Sequence, residues 1–159
     1  MILALLPVAA VAALLALGPG RVERNLNRIE PAAAGATPDA PAAALHRSLF
    51  VADLHADTLM WARDFLQRGD RGHVDLPRLV EGNVALQVLT TVTRSPHGLN
   101  YESNAADARD DITLLALVQR WPLRTWNSLT ERALYQAERL DGFVARSQGR
   151  LLLIRNRGD

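Results

Sequence analysis

The sequence predicts an α/β fold, a set of βα units around a parallel sheet preceded by an apolar segment and a tether. Three observations carry that expectation. Residues 49–54, 84–92 and 151–154 are short apolar runs of strand length. The stretches between them space their apolar residues at helical intervals, and strands alternating with helices are the mark of parallel βα units. The chain has 159 residues, 48% of them hydrophobic, which suits one ordinary domain.

Residues 1–17, MILALLPVAAVAALLAL, contain no charge and no polar side chain. As a helix they reach about 26 Å, the lower limit for crossing a hydrocarbon core. Gly18-Pro19-Gly20 ends the run, and Arg21, Arg24 and Arg28 follow. A membrane anchor and a secretory signal segment compete for this region, with a buried core helix as the bland alternative. No basic residue precedes the run and no small-x-small cleavage site stands out, so membrane association is the expectation. Taken strictly, the positive-inside rule places the arginine side in the cytoplasm, and that orientation is set aside. Residues 18–44 are expected as a Pro/Ala-rich tether. Eight Ala and three Pro in residues 31–44 leave nothing large enough to fill a core.

The globular part is expected over residues 45–159. A first strand ends near His55 to Asp57, and a helical stretch over residues 59–67 stops at Gly69. Asp75 suits the cap of a short turn with Pro77 near its start. Gly82-Asn83 breaks the chain before the second strand. A polar loop over residues 93–104 leads to a helix from about 105 to 120. Ser128-x-x-Glu131 is a capping-box pattern opening a helix towards Ser147, and residues 151–154 form a third strand. Three strands cannot close a barrel, so the sequence reads as the front of a larger domain.

Charge and cysteine content exclude several functions. Eighteen basic and 17 acidic residues give a net charge of +1, so no global field favours nucleic acid. All 18 basic residues are arginine, and cysteine is absent. A disulfide framework, a cysteine zinc finger and a thiol nucleophile are thereby ruled out. Ser48, Ser95 and Ser103 lack the glycine frame of a nucleophile elbow.

Asp53-Leu54-His55-Ala56-Asp57 is the most informative segment. Residues two apart on a strand share a face, about 6.6 Å from one neighbour to the next. An imidazole and a carboxylate at the end of a buried strand suit one divalent ion, since zinc accepts both at about 2.0–2.2 Å. The bare pattern is weak, because four His and 11 Asp give roughly 0.3 His-x-Asp pairs by chance. Two occur, and for His73-Val74-Asp75 capping is the preferred reading. For His55 and Asp57, a metal site and a capped strand end stand side by side. Asp53 either orients His55 or satisfies nearby backbone. His46 and His97 are expected to be solvated, and Trp121, Trp126 and Tyr135 to pack between helices and sheet.

The segment SLFVADLHADTLMWARDF, followed by GHVDLPRLVEGNVALQVLTTVT, resembles the membrane dipeptidase (renal dipeptidase) family of zinc peptidases. That family opens with a strand carrying Asp-x-His-x-Asp, then a DLPRL-x-EG-x-V-x-x-Q block leading into the second strand. Asp75 to Leu79, Glu81-Gly82, Val84 and Gln87 match the block as written. The resemblance implies a (β/α)8 barrel hydrolase with two zinc ions, one of them held by His55 and Asp57. It further implies a bridging glutamate and two later histidines, which are not found before Asp159. Glu102, Glu131 and Glu138 are not promoted to that role, and no catalytic residue is assigned. The expected partners are dipeptide substrates and the membrane, with a homodimer left open and nucleic acid excluded. The globular part is expected outside the cytoplasm. With two of zinc's usual four donors, this piece is expected to be inactive or nearly so. The rival reading is a non-catalytic, membrane-tethered structural or binding module.

Overall fold

The structure, a computed structural model, describes residues 2–30 and 37–159, except for the side chains of residues 2–10, 14 and 15. Seven principal elements follow one another: α1 (Ile2–Leu26), α2 (Ala40–Ser48), β1 (Val51–Ala56), α3 (Leu76–Glu81), β2 (Val84–Leu89), α4 (Asp111–Val118) and α5 (Leu129–Arg146). Short 3-10 turns occupy Thr58–Met60 and Leu123–Thr125. The architecture is mixed α/β. β1 and β2 pair in parallel, with Val51 opposite Val84, Asp53 opposite Gln87 and Ala56 opposite Leu89.

Local chemistry places most helix starts. Asp75 accepts from the Arg78 amide, Asp110 from that of Ile112 and Ser128 from that of Glu131. These are N-cap bonds that satisfy amides the first helical turn leaves unpaired. Asp39 caps α2 in the same way. The last residues of the expected tether therefore form a helix. It docks on the α3–β2 turn, where Asn83 donates to the carbonyls of His46 and Leu49. Residues 31–36 of that tether lie outside the described residues.

Two apolar clusters hold the domain. Leu59, Phe65, Leu66, Leu76 and Phe143 form one; Ile112, Ala116 and Trp121 form the other. α5 joins them, because Phe143 stacks near Phe65 at 5.7 Å and Tyr135 near Trp121 at 5.3 Å. Trp121 is buried, and Trp126 and Tyr135 pack against its cluster.

Three expectations are corrected. The helix over residues 59–67 reduces to the turn Thr58–Met60. Beyond it the chain bonds elsewhere: the Ala62 amide to the Gln119 side chain, the Leu66 amide to the Asp64 carboxylate, and the Phe65 carbonyl to the Leu76 amide. Such bonds compete directly with a helical ladder. Residues 151–154 form no strand, and the described sheet has two. Leu151 packs against the first cluster while Leu152 and Ile154 stay exposed. Finally, Gly18-Pro19-Gly20 does not end the first helix. Proline deletes a helical amide, yet α1 continues to Leu26, and side chains from the far end of α4 take up its carbonyls. Gln119 donates to Pro19 O at 3.3 Å and Arg120 to Ala16 O at 3.1 Å.

The C-terminal turns of α1 are thus part of the fold. Glu23, 1% exposed, pairs with Arg63 at 3.0 Å and Arg71 at 3.2 Å. The Gly72 amide closes on Asn27 O at 2.7 Å. Gly72 has φ +75°, and a Cβ there would fall 1.8 Å from Arg63 Nη1, so the guanidinium sits where a side chain would be. Among the described residues, no helix is long and apolar enough to cross a membrane. Much of the 1–17 run has side chains outside that description.

Two outcomes follow for stability. Glu23→Gln leaves two guanidinium groups without their buried carboxylate and is expected to lower unfolding free energy by about 3–5 kcal/mol. Glu30→Gln, at an exposed pair with Arg28, is expected to stay within about 0.5 kcal/mol. Urea unfolding measures both. For Asp110, burial pushes the carboxyl up, but bonds from Arg132, the Ser95 and Ile112 amides and Thr113 outweigh it. They hold Asp110 below the usual carboxylate range. The unfolded chain then takes up this proton first as pH falls. The contribution is complete at neutral pH and is lost from about pH 4 downward through the lowered native pKa. The urea midpoint should fall over that range in the native chain and fall less steeply in Asp110→Asn.

Candidate metal centre

β1 and β2 bring their C-terminal ends together, the end of parallel strands where α/β proteins build sites. The Thr90 amide, just past β2, donates to Ala56 O at 3.0 Å and carries the pairing to the rim of the sheet. β1 ends at Ala56, so Asp57 leaves the strand, with φ −90° and ψ 27°. Its carboxylate folds back towards the preceding side chain. His55 Nε2 and Asp57 Oδ2 lie 3.3 Å apart, with side chains 70% and 42% exposed.

The two side chains bond directly to each other, and the same separation is one that chelation would require. A tetrahedral ion with two donors about 2.1 Å away holds them about 3.4 Å apart. The other oxygen, Asp57 Oδ1, accepts the Thr90 hydroxyl. Thr90 thus fixes the carboxylate plane and leaves Oδ2 turned to the imidazole, the office of an outer hydrogen bond at a metal site. Sequence reasoning missed Thr90. Its only signal is a hydroxyl residue directly after an apolar strand.

Asp53 plays a different part. Its Oδ1 accepts from the His55 backbone amide at 3.1 Å, not from the imidazole. That amide first, and then the Gln87 amide, hold the Asp53 carboxyl below the usual carboxylate range. Gln87 also reaches the Asp53 carbonyl from the opposing strand at 3.5 Å. Asp53 is therefore tied to strand backbone, the second of its two expected roles. Among the described residues, no group of three or more His, Cys, Asp or Glu side chains is placed to hold a metal. The donor set here is His55 and Asp57.

The second His-x-Asp pair is structural. Asp75, 1% exposed, receives the amides of Arg78 at 3.0 Å and Gly69 at 3.1 Å and pairs with the Arg78 guanidinium. Arg78 in turn donates to Gly69 O at 2.8 Å. Two residues of the DLPRL block thus close the loop before α3. His46 and His97 are exposed but not unbonded: His46 Nε2 meets Gly82 O at 2.9 Å, and His97 Nδ1 meets the Asp111 carboxylate at 3.0 Å. Glu131 and Glu138 both pair with Arg124.

In comparisons with known proteins, no family model, no curated protein sequence and no solved structure matches this chain.

Asp75→Ala tests the division of labour between the two pairs. Losing a buried cap and a charge partner is expected to destabilise the chain by about 2 kcal/mol or more, the upper end for a cap. Zinc affinity at His55 and Asp57, measured by calorimetry, is expected to stay at the native value.

Proposed function

We propose that residues 45–159 are the opening βα units of a (β/α)8 hydrolase of the membrane dipeptidase kind, serving zinc-dependent hydrolysis of dipeptides. One observation carries the reading: an imidazole nitrogen and a carboxylate oxygen stand 3.3 Å apart at the C-terminal rim of a parallel strand. The two sequence blocks that resemble the family flank that rim. Leu54 and Val88 on the strands are exposed, and a barrel buries strand residues of this kind under helices and further strands.

His55 and Asp57 would hold one of the family's two zinc ions, with Thr90 orienting Asp57. Bound zinc supplies Lewis acidity towards the scissile carbonyl and the attacking water. The bridging carboxylate and the second ion's histidines come from outside the described donor set. Residues 1–17 associate the protein with a membrane, with the globular part outside the cytoplasm. The second reading, a non-catalytic membrane-tethered module, is favoured by the donor set itself, which stops at two of the four that zinc usually takes.

Zinc titration of the metal-stripped chain tests the metal site. His55→Ala and Asp57→Ala are each expected to abolish binding, and Thr90→Val to weaken it about tenfold or more. Dipeptide hydrolysis is expected to be absent or slight with two donors alone. Undiminished zinc binding in the double variant His55→Ala/Asp57→Ala would overturn the proposal. Zinc binding that depends on both residues, in a protein completed with later strands yet inert towards dipeptides, would favour the non-catalytic module.

A further inference from the structure

A cavity of about 370 Å³ opens between α5 and the turn that follows Met60, and three arginines line it: Arg63, Arg139 and Arg146. Asp64 is the one carboxylate among the lining residues. Three guanidinium groups, set against Asp64 at the cavity and the Glu23 carboxylate behind Arg63, leave an excess of one positive charge around one concavity.

Each guanidinium is held in place before any ligand arrives. Arg63, with its side chain 10% exposed, is anchored from behind by Glu23 and Thr58. Its Nε is buried without a hydrogen-bond partner. Arg139 makes no ion pair among the described residues. It donates to Leu59 O at 2.8 Å and Arg63 O at 3.2 Å, neutral carbonyls that fix its plane without cancelling its charge. Arg146 pairs with Asp64 at 3.3 Å and is 57% exposed. Arg139 and Arg146 share one aromatic ring, with their Cζ atoms 5.6 and 5.3 Å from the centre of Phe143. Two like charges are thus held beside a single buried ring.

The opening is kept clear by Gly142. A Cβ there would meet no atom within 4 Å, so neither backbone geometry nor packing demands glycine. The residue lies between Arg139 and Arg146 on α5, where any larger side chain would project into the space.

We infer that this cavity binds a phosphate-class oxyanion, with Arg139 and Arg146 as its principal donors and Arg63 as a fixed positive charge behind them. A phosphate group carries about −1.5 to −2 at neutral pH, opposite in sign to the net charge of the cavity. Its several acceptor oxygens suit guanidinium groups arriving from different directions. Burial lowers the pKa of Arg63 and of Arg139 relative to an ordinary guanidinium, so an anion relieves an existing desolvation cost. Two sources share this chemistry, free phosphate or a phosphorylated solute and an anionic lipid headgroup. The second draws on position: Glu23, which anchors Arg63, lies six residues beyond Leu17, about 9 Å along a helix from the end of the apolar run. The site is independent of the metal-centre reading.

Calorimetric titration of inorganic phosphate into the full chain, at constant ionic strength set with chloride, tests the inference. Saturable binding is expected, weakened tenfold or more in Arg146→Gln, whose exposure makes it the variant least able to disturb the fold. Gly142→Glu places a carboxylate in the cavity and is expected to abolish phosphate binding while the thermal midpoint stays level or rises. Vesicles of phosphatidylglycerol and of phosphatidylcholine then identify the source. A preference for the anionic vesicles that Arg146→Gln removes and free phosphate competes away supports a headgroup, and phosphate binding without that preference supports a soluble ligand. Phosphate binding that is absent, or unchanged in both variants, overturns the site.

Discussion

β1 and β2 run in the same direction, and parallel pairing forces the chain between them to leave the sheet, cross over it and return. The intervening segment does so with a turn, a capped loop and the short helix α3. Because both strands end at one rim, the residue after each strand meets the other. The Thr90 amide on the Ala56 carbonyl carries the pairing to that rim, and the Thr90 hydroxyl reaches Asp57. An antiparallel hairpin would put these residues at opposite ends of the ladder. The Thr90–Asp57 contact is therefore a consequence of strand direction.

The rest of the frame is built largely from guanidinium groups. Arg132, 1% exposed, donates to the Thr93, Thr125 and Trp126 carbonyls, to Thr113 and to Asp110. One side chain thereby fixes the loop after β2, the start of α4 and the start of α5 to one another. Arg63 and Arg71 do the same for α1 through Glu23, and Arg78 for the loop before α3 through Asp75. Five donors in a rigid planar fork let a single arginine satisfy several carbonyls that loops would otherwise leave unpaired. Such a frame depends on every partner staying in place, because a buried charge stripped of its counter-ion is far more costly than a lost surface pair.

This usage separates arginines that serve the frame from those that face a cavity. Arg132 is saturated by its acceptors and close to fully buried. Arg139 is held by two neutral carbonyls, and Arg146 stands largely in solvent with one acid beside it. The metal-centre candidate and the arginine-lined cavity use different chemistry on different elements. Strand ends supply the first and one face of α5 the second.

Features governed by a few adjacent residues were legible in the chain. The caps at Asp75 and Ser128 and the break at Gly82-Asn83 arise within about four positions of the residues concerned, and so does the His55–Asp57 contact, although it forms because Asp57 leaves the strand and not because the two share a strand face. Features that depended on partners 11 to 104 residues away were not. Gly18-Pro19-Gly20 reads as a helix stop, and it fails to act as one where Gln119 and Arg120 take up neighbouring carbonyls of α1. Glu23 reads as a surface charge until Arg63 and Arg71 enclose it. Residues 61–67 have helical spacing, but Gln119 and Leu76 draw their backbone groups into other bonds. Thr90 acquires a role only when β2 lies beside β1. Local conformational preferences amount to tenths of a kcal/mol to about 1 kcal/mol per residue, whereas leaving a buried polar group unpaired costs about 1–3 kcal/mol, so distant hydrogen-bond demands override them wherever the two disagree.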